Sequence, residues 1–355
     1  MSIRGSCVAG LTVLTVAVVA CEDKTAQKPA ETTDAGPGKS VSHGDKRITD
    51  ALKAEGSAAA KQGPPETGVF PPGGADKEMK MGDPPRLVMG LPGSSPQVQL
   101  TPPPAKPAKR LEGKVEVAIQ TGPRSAMPTV ELGLTTEPGD KAEPVAPGAS
   151  LLLVKAISAK PASEQPGQLP PGADKQIGKI RGSRFKVELL PNNAGHVTAI
   201  EPSKDLDESL ALVLRAASDV FDFAFQPVPT VPVGKDGFWM VESRESFIGL
   251  DAIVYRMYKV LEAKPDSVTL DVNVRRLVSP GQIAFPGVPP HHVEEFNDNV
   301  TGQIEVSPAD TSSIHGNLTE TLAAALTPEG AAASAQQGQQ MAVQMQIRTR
   351  VATGR

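Results

Sequence analysis

A mainly β fold is predicted for this chain: a curved antiparallel sheet, sandwich or half-barrel with one docked α-helix, preceded by a long disordered tether. Three observations predict it. Apolar and polar residues alternate with period two in many segments beyond residue 111, the signature of strands with one buried face. A single segment carries helical spacing. Of the twelve aromatic residues, eleven fall between Phe185 and Phe296, and the stretch from Glu22 to Arg110 holds only Phe70.

At the N-terminus, residues 1–21 carry one charge, Arg4, followed by an apolar run from Val8 to Ala20. That run is too short for a hydrocarbon core about 30 Å thick and has the anatomy of a signal peptide. Val18-Val19-Ala20-Cys21 resembles the lipobox of bacterial lipoprotein precursors. The resemblance implies diacylglycerol on the Cys21 thiol, cleavage before it, and outer-membrane sorting, since Glu22 rather than Asp follows. Cys7, the only other cysteine, lies in the discarded segment, so the mature chain offers no disulfide and no Cys-based zinc site.

Residues 22–110 are rich in Pro, Gly, Ala and Lys, and such a composition cannot offset the roughly 1–2 kcal/mol per residue of backbone ordering entropy. They read as a disordered linker of about 50 Å mean reach. Within it PPGGADK (71–77) recurs as PPGADK (170–175); with divergent flanks and no packable face, the recurrence reads as low-complexity loop sequence.

Residues 111–355 read as the β domain, with the strongest core over 184–306. Strands are predicted at Lys114–Gln120, Thr129–Thr135, Leu151–Ile157, Arg184–Leu190, Phe238–Glu242 and Gly302–Val306. LDAIVYRMYKVL (250–261) and the alternating Val268, Leu270, Val272 and Val274 form a long hairpin about Lys264-Pro265-Asp266. A strand is favoured over a helix for Ser313–Leu322. Met341–Val351 sets Met345, Ile347 and Val351 against Gln344, Gln346, Arg348 and Arg350, a strand with one wet face. The helix is expected near 206–220, where Leu206, Leu210, Val213, Leu214, Ala217 and Phe221 share a face and Asp205 with Glu208 suggests a capping box.

Without Arg4 the mature chain holds forty acidic and thirty-five basic residues, about −5 near neutral pH, which argues against a nucleic-acid partner. Lys175, Lys179, Arg181, Arg184 and Lys186 form a local basic cluster, read first as a solvated flank and otherwise as a contact for lipid phosphates or polyanionic sugars. PPHHVEEFNDN supplies the weak metal candidates His291, His292, Glu294 and Glu295, with Asp298 nearby, in a segment (279–299) read as an exposed loop. Adjacent strand histidines point to opposite faces, so no metal is assigned. No nucleophile elbow, Walker loop or dinucleotide fingerprint occurs, and no catalytic residue or cofactor is assigned.

From Arg184 onward the order of features is similar to an uncharacterised class of bacterial lipoprotein domains: an amphipathic segment, QPVPTVPVGKDGFW (226–239), a long hairpin and a Met-rich final strand. That resemblance brings no catalytic residues. The expectation is a non-enzymatic outer-membrane lipoprotein, held by its N-terminal lipid, that binds another envelope protein or plays a structural part. One alternative is a lipid or lipoprotein carrier with an apolar cavity lined by Trp239, Tyr255 and Met257. Another is a hydrolase or metal enzyme using the 291–298 loop.

Overall fold

The computed structural model describes residues 67–102, 112–121, 125–140, 148–162, 171–190, 194–204, 206–207, 210–283, 290–328 and 341–354. Cys21 and residues 1–66 therefore lie outside the described residues. In chain order the elements are β1 (Gly68–Val69), α1 (Gly74–Glu78), β2 (Arg86–Leu91), β3 (Ser94–Val98), β4 (Glu112–Thr121), β5 (Ser125–Ala126), β6 (Val130–Pro138), β7 (Ser150–Pro161), α2 (Ala173–Gly178), β8 (Arg184–Leu189), β9 (Gly195–Glu201) and α3 (Ala211–Ala224). There follow β10 (Val233–Lys235), β11 (Phe238–Phe247), β12 (Leu250–Ala263), β13 (Val268–Val278), β14 (Gln282–Ile283), β15 (His291–Ser307), β16 (Asp310–Pro328) and β17 (Met341–Gly354).

One sheet of fifteen strands runs β2-β11-β12-β13-β15-β16-β17-β4-β6-β7-β8-β9, with β1, β5 and β14 paired off this path and β3-β10 forming a separate ribbon. Every pair along the path is antiparallel. Two meanders, β4–β9 and β11–β17, are joined where the last strand pairs with β4, Thr349 opposite Val117 and Val351 opposite Val115.

The sheet is curved, and spacing proves it. β12 and β9 stand nine places apart in the order, which in a flat sheet is about 43 Å at ~4.8 Å per strand. A helix is only about 10–12 Å across. Yet α3 packs on β9, β4, β17 and β16, and its Asp222 meets Arg256 of β12 at 3.4 Å. The strands therefore wrap around α3, and β2 and β9 remain as open edges.

Alternation sets the faces of β4 and β17 as expected, but the helix begins later than the predicted 206–220. It runs Ala211–Ala224 with Leu210 at its N-cap and no side-chain cap; Asp205 and Glu208 are outside the described residues. Its C-terminal extension buries Phe221, Phe223 and Ala224. Apolar contact inside the sheet decides where the helix sits.

Two expectations need correction. The disordered linker assigned to 22–110 is too long, because residues 67–102 belong to the fold. Gly68-Val69 pairs with Leu277-Val278, β2 pairs with β11, and Ala75 and Met79 pack with Phe238, Met240, Tyr255 and Met257 on the convex face. Under that cover residues 252–258 of β12 are buried on both faces, and on the predicted wet face of β13 Asp271 and Asn273 are buried while Thr269 and Arg275 stay half-buried. The 279–299 loop is likewise largely strand: β14 pairs with the start of β15, and His291 to Ser307 pairs with β16.

The recurrence of PPGGADK is also structural. Gly73 and Gly172 both adopt left-handed backbone before a short helix (φ 70° and 81°), and Gly82 and Gly182 both do so after it (φ 85° and 94°). A strand begins at Arg86 in one copy and at Arg184 in the other. The flanks diverge: Met79 and Ile177 are buried at corresponding positions, but the first copy adds Ala75 and the second Ile180, and the chain leaves α1 extended at Met79 while it stays helical at Lys179.

Candidate functional site

The concave face carries a belt of charge that the apolar pattern hides. On five neighbouring strands, inward positions are held by Glu245 (β11), Arg256 (β12), Arg276 (β13), Asp298 (β15) and Glu320 (β16), all well buried except the partly covered Glu245. Facing them, Arg215, Asp219 and Asp222 recur along α3 at i, i+4 and i+7, one face of a helix. Arg256 donates to Glu245 at 2.6 and 2.9 Å and to Ser243 at 2.7 Å, and reaches Asp222 at 3.4 Å. Arg276 lies 2.5 Å from Asp298, 3.4 Å from Glu320 and 3.7 Å from Asp219. Arg215 lies 3.4 Å from Asp219 and 3.7 Å from Glu320. The Arg215 and Arg276 guanidiniums lie 3.7 and 4.3 Å from the Phe247 ring centre, and Phe296 meets that ring edge-on.

Three guanidiniums face five carboxyls, an imbalance that a low-dielectric interior resists. Protons correct it. Burial pushes Asp222 up to about 8, the neighbouring Glu245 adding to the rise. Burial also pushes Glu320 up to about 7, with Asp298 as the second cause. Burial would raise Glu245 too, but Arg256, with its charge and close hydrogen bonds, holds it down at about 2. The shorter contacts of Arg256 to Glu245 than to Asp222 place the charge on Glu245 and the proton on Asp222.

Perturbed carboxyls can mark an active site; the space beside this belt is small. The cavity beside it, lined by Asp219, Arg276, Glu320 and Thr349 among others, measures about 20 Å³, room for about one water. Its chemistry is fastening: it holds the polar face of α3 to β11–β16.

A second crevice lies at the opposite end of α3, where Leu100 and Pro227-Val228 cover Trp239, Tyr258, Leu270 and Ile304. Trp239 stacks on Tyr258 with 5.2 Å between ring centres. The buried Gln226 Oε1, Trp239 Nε1, Tyr258 hydroxyl and Thr311 hydroxyl all border it without a protein partner. Its volume is again about 20 Å³. The cover is tied down by Thr101 N donating to Pro308 O, Thr311 N donating to Thr101 O, and Gln99 Nε2 donating to Pro229 O at 3.3 Å.

Of the cavity residues expected together, Trp239 lines the crevice, whereas Tyr255 and Met257 sit on the convex face under α1. The reason is phase: Trp239 pairs with Tyr258, and odd positions 255 and 257 point the other way. His291 is buried, while His292, Glu294 and Glu295 are exposed, the bulge between Val293 and Glu295 placing two acidic residues outward in succession. Among the described residues, no three His, Cys, Asp or Glu side chains converge to hold a metal. Asp298 faces inward to Arg276, away from the exposed members of its motif. The basic residues Lys175, Lys179, Arg181 and Arg184 are all exposed on α2 and the turn into β8, and Lys186 pairs with Glu201 at 2.9 Å.

The belt residues were not singled out from sequence, although a signal exists. Arg256 and Arg276 occupy inward phases otherwise filled by Val254, Tyr258, Val274 and Val278, and a charge at such a phase needs a buried partner.

No family model matches the chain and no curated protein is similar to it. A solved structure of lipovitellin, concerned with its lipid–protein interactions, is similar over 71% of this chain and 26% of that one, at 9% identity and a TM-score of 0.40. The chain thus spans about a quarter of that structure's length. A likeness of this extent carries no argument about ligand or partner.

Proposed function

We propose that the protein is a lipid-anchored envelope lipoprotein of the outer membrane whose folded part acts by surface contact, as a non-enzymatic binding or structural module. The observation that carries the second half is the filled concave face. α3 occupies it, and the cavities beside the helix measure about 20, 20 and 10 Å³, against the roughly 300 Å³ or more of a typical ligand pocket. Contact is left to the outer faces and edges. The first half rests on the Val18 to Cys21 motif and the residues before it.

For the anchor, the test is labelled fatty acid supplied to cells making the wild-type chain or Cys21→Ala. Label is expected in the wild type alone, with unprocessed precursor in the variant. Label in both, or in neither, refutes the anchor.

A carrier reading has one observation in its favour, the four unpartnered polar atoms around the Trp239–Tyr258 crevice. It requires the 99–101 strap to lift. Trp239 is the only tryptophan of the chain, so its fluorescence reports on this crevice directly. Titration with brominated fatty acid is expected to leave that emission unquenched; saturable quenching would favour the carrier.

A further inference from the structure

The geometry points to the exposed face formed by Lys175, Lys179, Arg181 and Arg184 as a docking surface for an anionic phospholipid membrane. This deepens the surface-contact reading above by naming the surface and its partner. Three observations carry it.

The charge is local and against the trend of the chain. Between Ala173 and Lys186 there are five basic residues and one acidic residue, Asp174, in a chain of net charge −4. Lys186 is paired with Glu201, and nearby Lys155 with Glu137. The other four cations are exposed and have no ion pair among the described residues. Ile157, 48% exposed, lies beside them on β7, since Gly182 N donates to the carbonyl of the adjacent Ala156 at 2.9 Å. A large apolar side chain among cations suits a headgroup interface.

This charge is not common to the two copies of PPG(G)ADK. The first copy, Pro71 to Arg86, also sets a left-handed glycine before a short helix but carries three basic and three acidic residues, and its Asp76 and Arg86 are used in ion pairs with Arg244 and Glu242. In the second copy the four exposed cations, with one acid, Asp174, on the same unit, have no ion pair among the described residues.

The patch also faces the right way. Following the antiparallel order from β13 to β8, the end of β13, the start of β15, the end of β7 and the start of β8 share one rim of the sheet. The described chain arrives at that rim: Thr67 Oγ1 donates to Asn297 at 2.7 Å, and Gly68 pairs with Leu277. A flexible chain of the length between Cys21 and Thr67 has a mean reach of roughly 40 Å, which sets the distance at which the proposed lipid would hold this rim. Anchor and patch are then offered to the same membrane, and confinement at that distance raises the effective concentration of a weak electrostatic contact.

The test uses the chain made from Glu22 onward, so that neither an acyl group nor the apolar Val8–Ala20 segment contributes, in sedimentation with vesicles. Phosphatidylcholine vesicles are compared with vesicles containing phosphatidylglycerol, at low and high salt. Binding is expected only to the anionic vesicles and is expected to weaken with salt. Lys179→Glu/Arg181→Glu/Arg184→Glu should weaken it by at least about tenfold, and the matching glutamine triple should weaken it less. Lys77→Glu/Lys80→Glu/Lys235→Glu, an equal change of net charge at other exposed lysines, should retain it. Equal binding to both vesicle types, equal loss in the two charge-reversed triples, or retention on sulfated polysaccharide without vesicle preference would overturn the proposal. Because the lipid is absent throughout, the outcome is independent of the labelling experiment on Cys21.

Discussion

The two arms of the sheet wrap the same helix by different means. Along β4–β8 the inward residues are Val115, Val117, Val130, Leu132, Leu134, Val154, Phe185 and Val187, all buried and apolar, and α3 meets them with Val220, Phe221 and Ala224. Outward positions there carry exposed or half-exposed ion pairs such as Lys114 with Glu131 and Lys160 with Glu131. Along β11–β16 the arrangement is inverted. The charges of the belt point inward to the Arg215, Asp219 and Asp222 face of α3, and outward Phe238, Met240, Ile253, Tyr255 and Met257 are covered by residues 67–91, whose Asp76 and Arg86 pair with Arg244 and Glu242 at the margin. The difference teaches that a helix can be buried all round while remaining amphipathic, provided that one wall of its enclosure is polar.

The comparison is broken most strongly by removing a cation from the inner belt. Arg276→Met leaves Asp298, Glu320 and Asp219 without their shared guanidinium, and a loss of about 4 kcal/mol is expected in urea unfolding. Adding Asp298→Leu should recover part of that loss, because an unpaired buried charge costs more than an apolar replacement of the pair. Leu132→Ala, the equivalent insult to the apolar wall, should cost about 3 kcal/mol through transfer and cavity formation.

pH separates the arms next. Asp222 and Glu320, raised to about 8 and about 7, keep protons in the folded state that their unfolded forms have lost above about pH 4. Unfolding between those limits releases protons, so stability falls as pH rises from about 4 through 8, with a slope of at most about 1.4 kcal/mol per pH unit for each retained proton. Asp222→Asn should flatten the upper part of this dependence, and Glu320→Gln the part below about pH 7, in urea melts across the range. An unchanged slope in both variants would show that the belt carries no excess protons. At the small end, Lys155→Ala on the outer face should change stability by no more than about 0.5 kcal/mol, since its pair with Glu137 is partly exposed.

Much of the fold was legible because alternation is a local property. Lys114 to Gln120 and Met341 to Val351 declare a strand and its faces within a few residues, and Val268 to Val274 a strand and its inner face. The helix was legible as an amphipathic segment, although its start was misplaced from 206 to 211 because its terminus is set by contact with β9 and β4. The segment around His291 was misread as loop because its prolines lie just before the strand, whereas its pairing with β16 is a non-local fact. Residues 67–91 were assigned to the linker for a similar reason: α1 has five residues and one buried side chain, Ala75, too few to advertise a fold alone. They gain order only against Phe238, Met240 and Met257.

The sequence by itself determined the class of fold, the inward and outward phase of most strands, and the expectation of a lipid on Cys21. Periodicity and short motifs encode these within a single segment. The tertiary structure alone decided that β17 closes against β4, that five ionisable side chains of β11–β16 meet three on α3, and that two short units each set a left-handed glycine before a helix while carrying different charge. Each of those depends on which distant residues meet, and buried charges, unlike apolar ones, are stable only once their particular partners are in place.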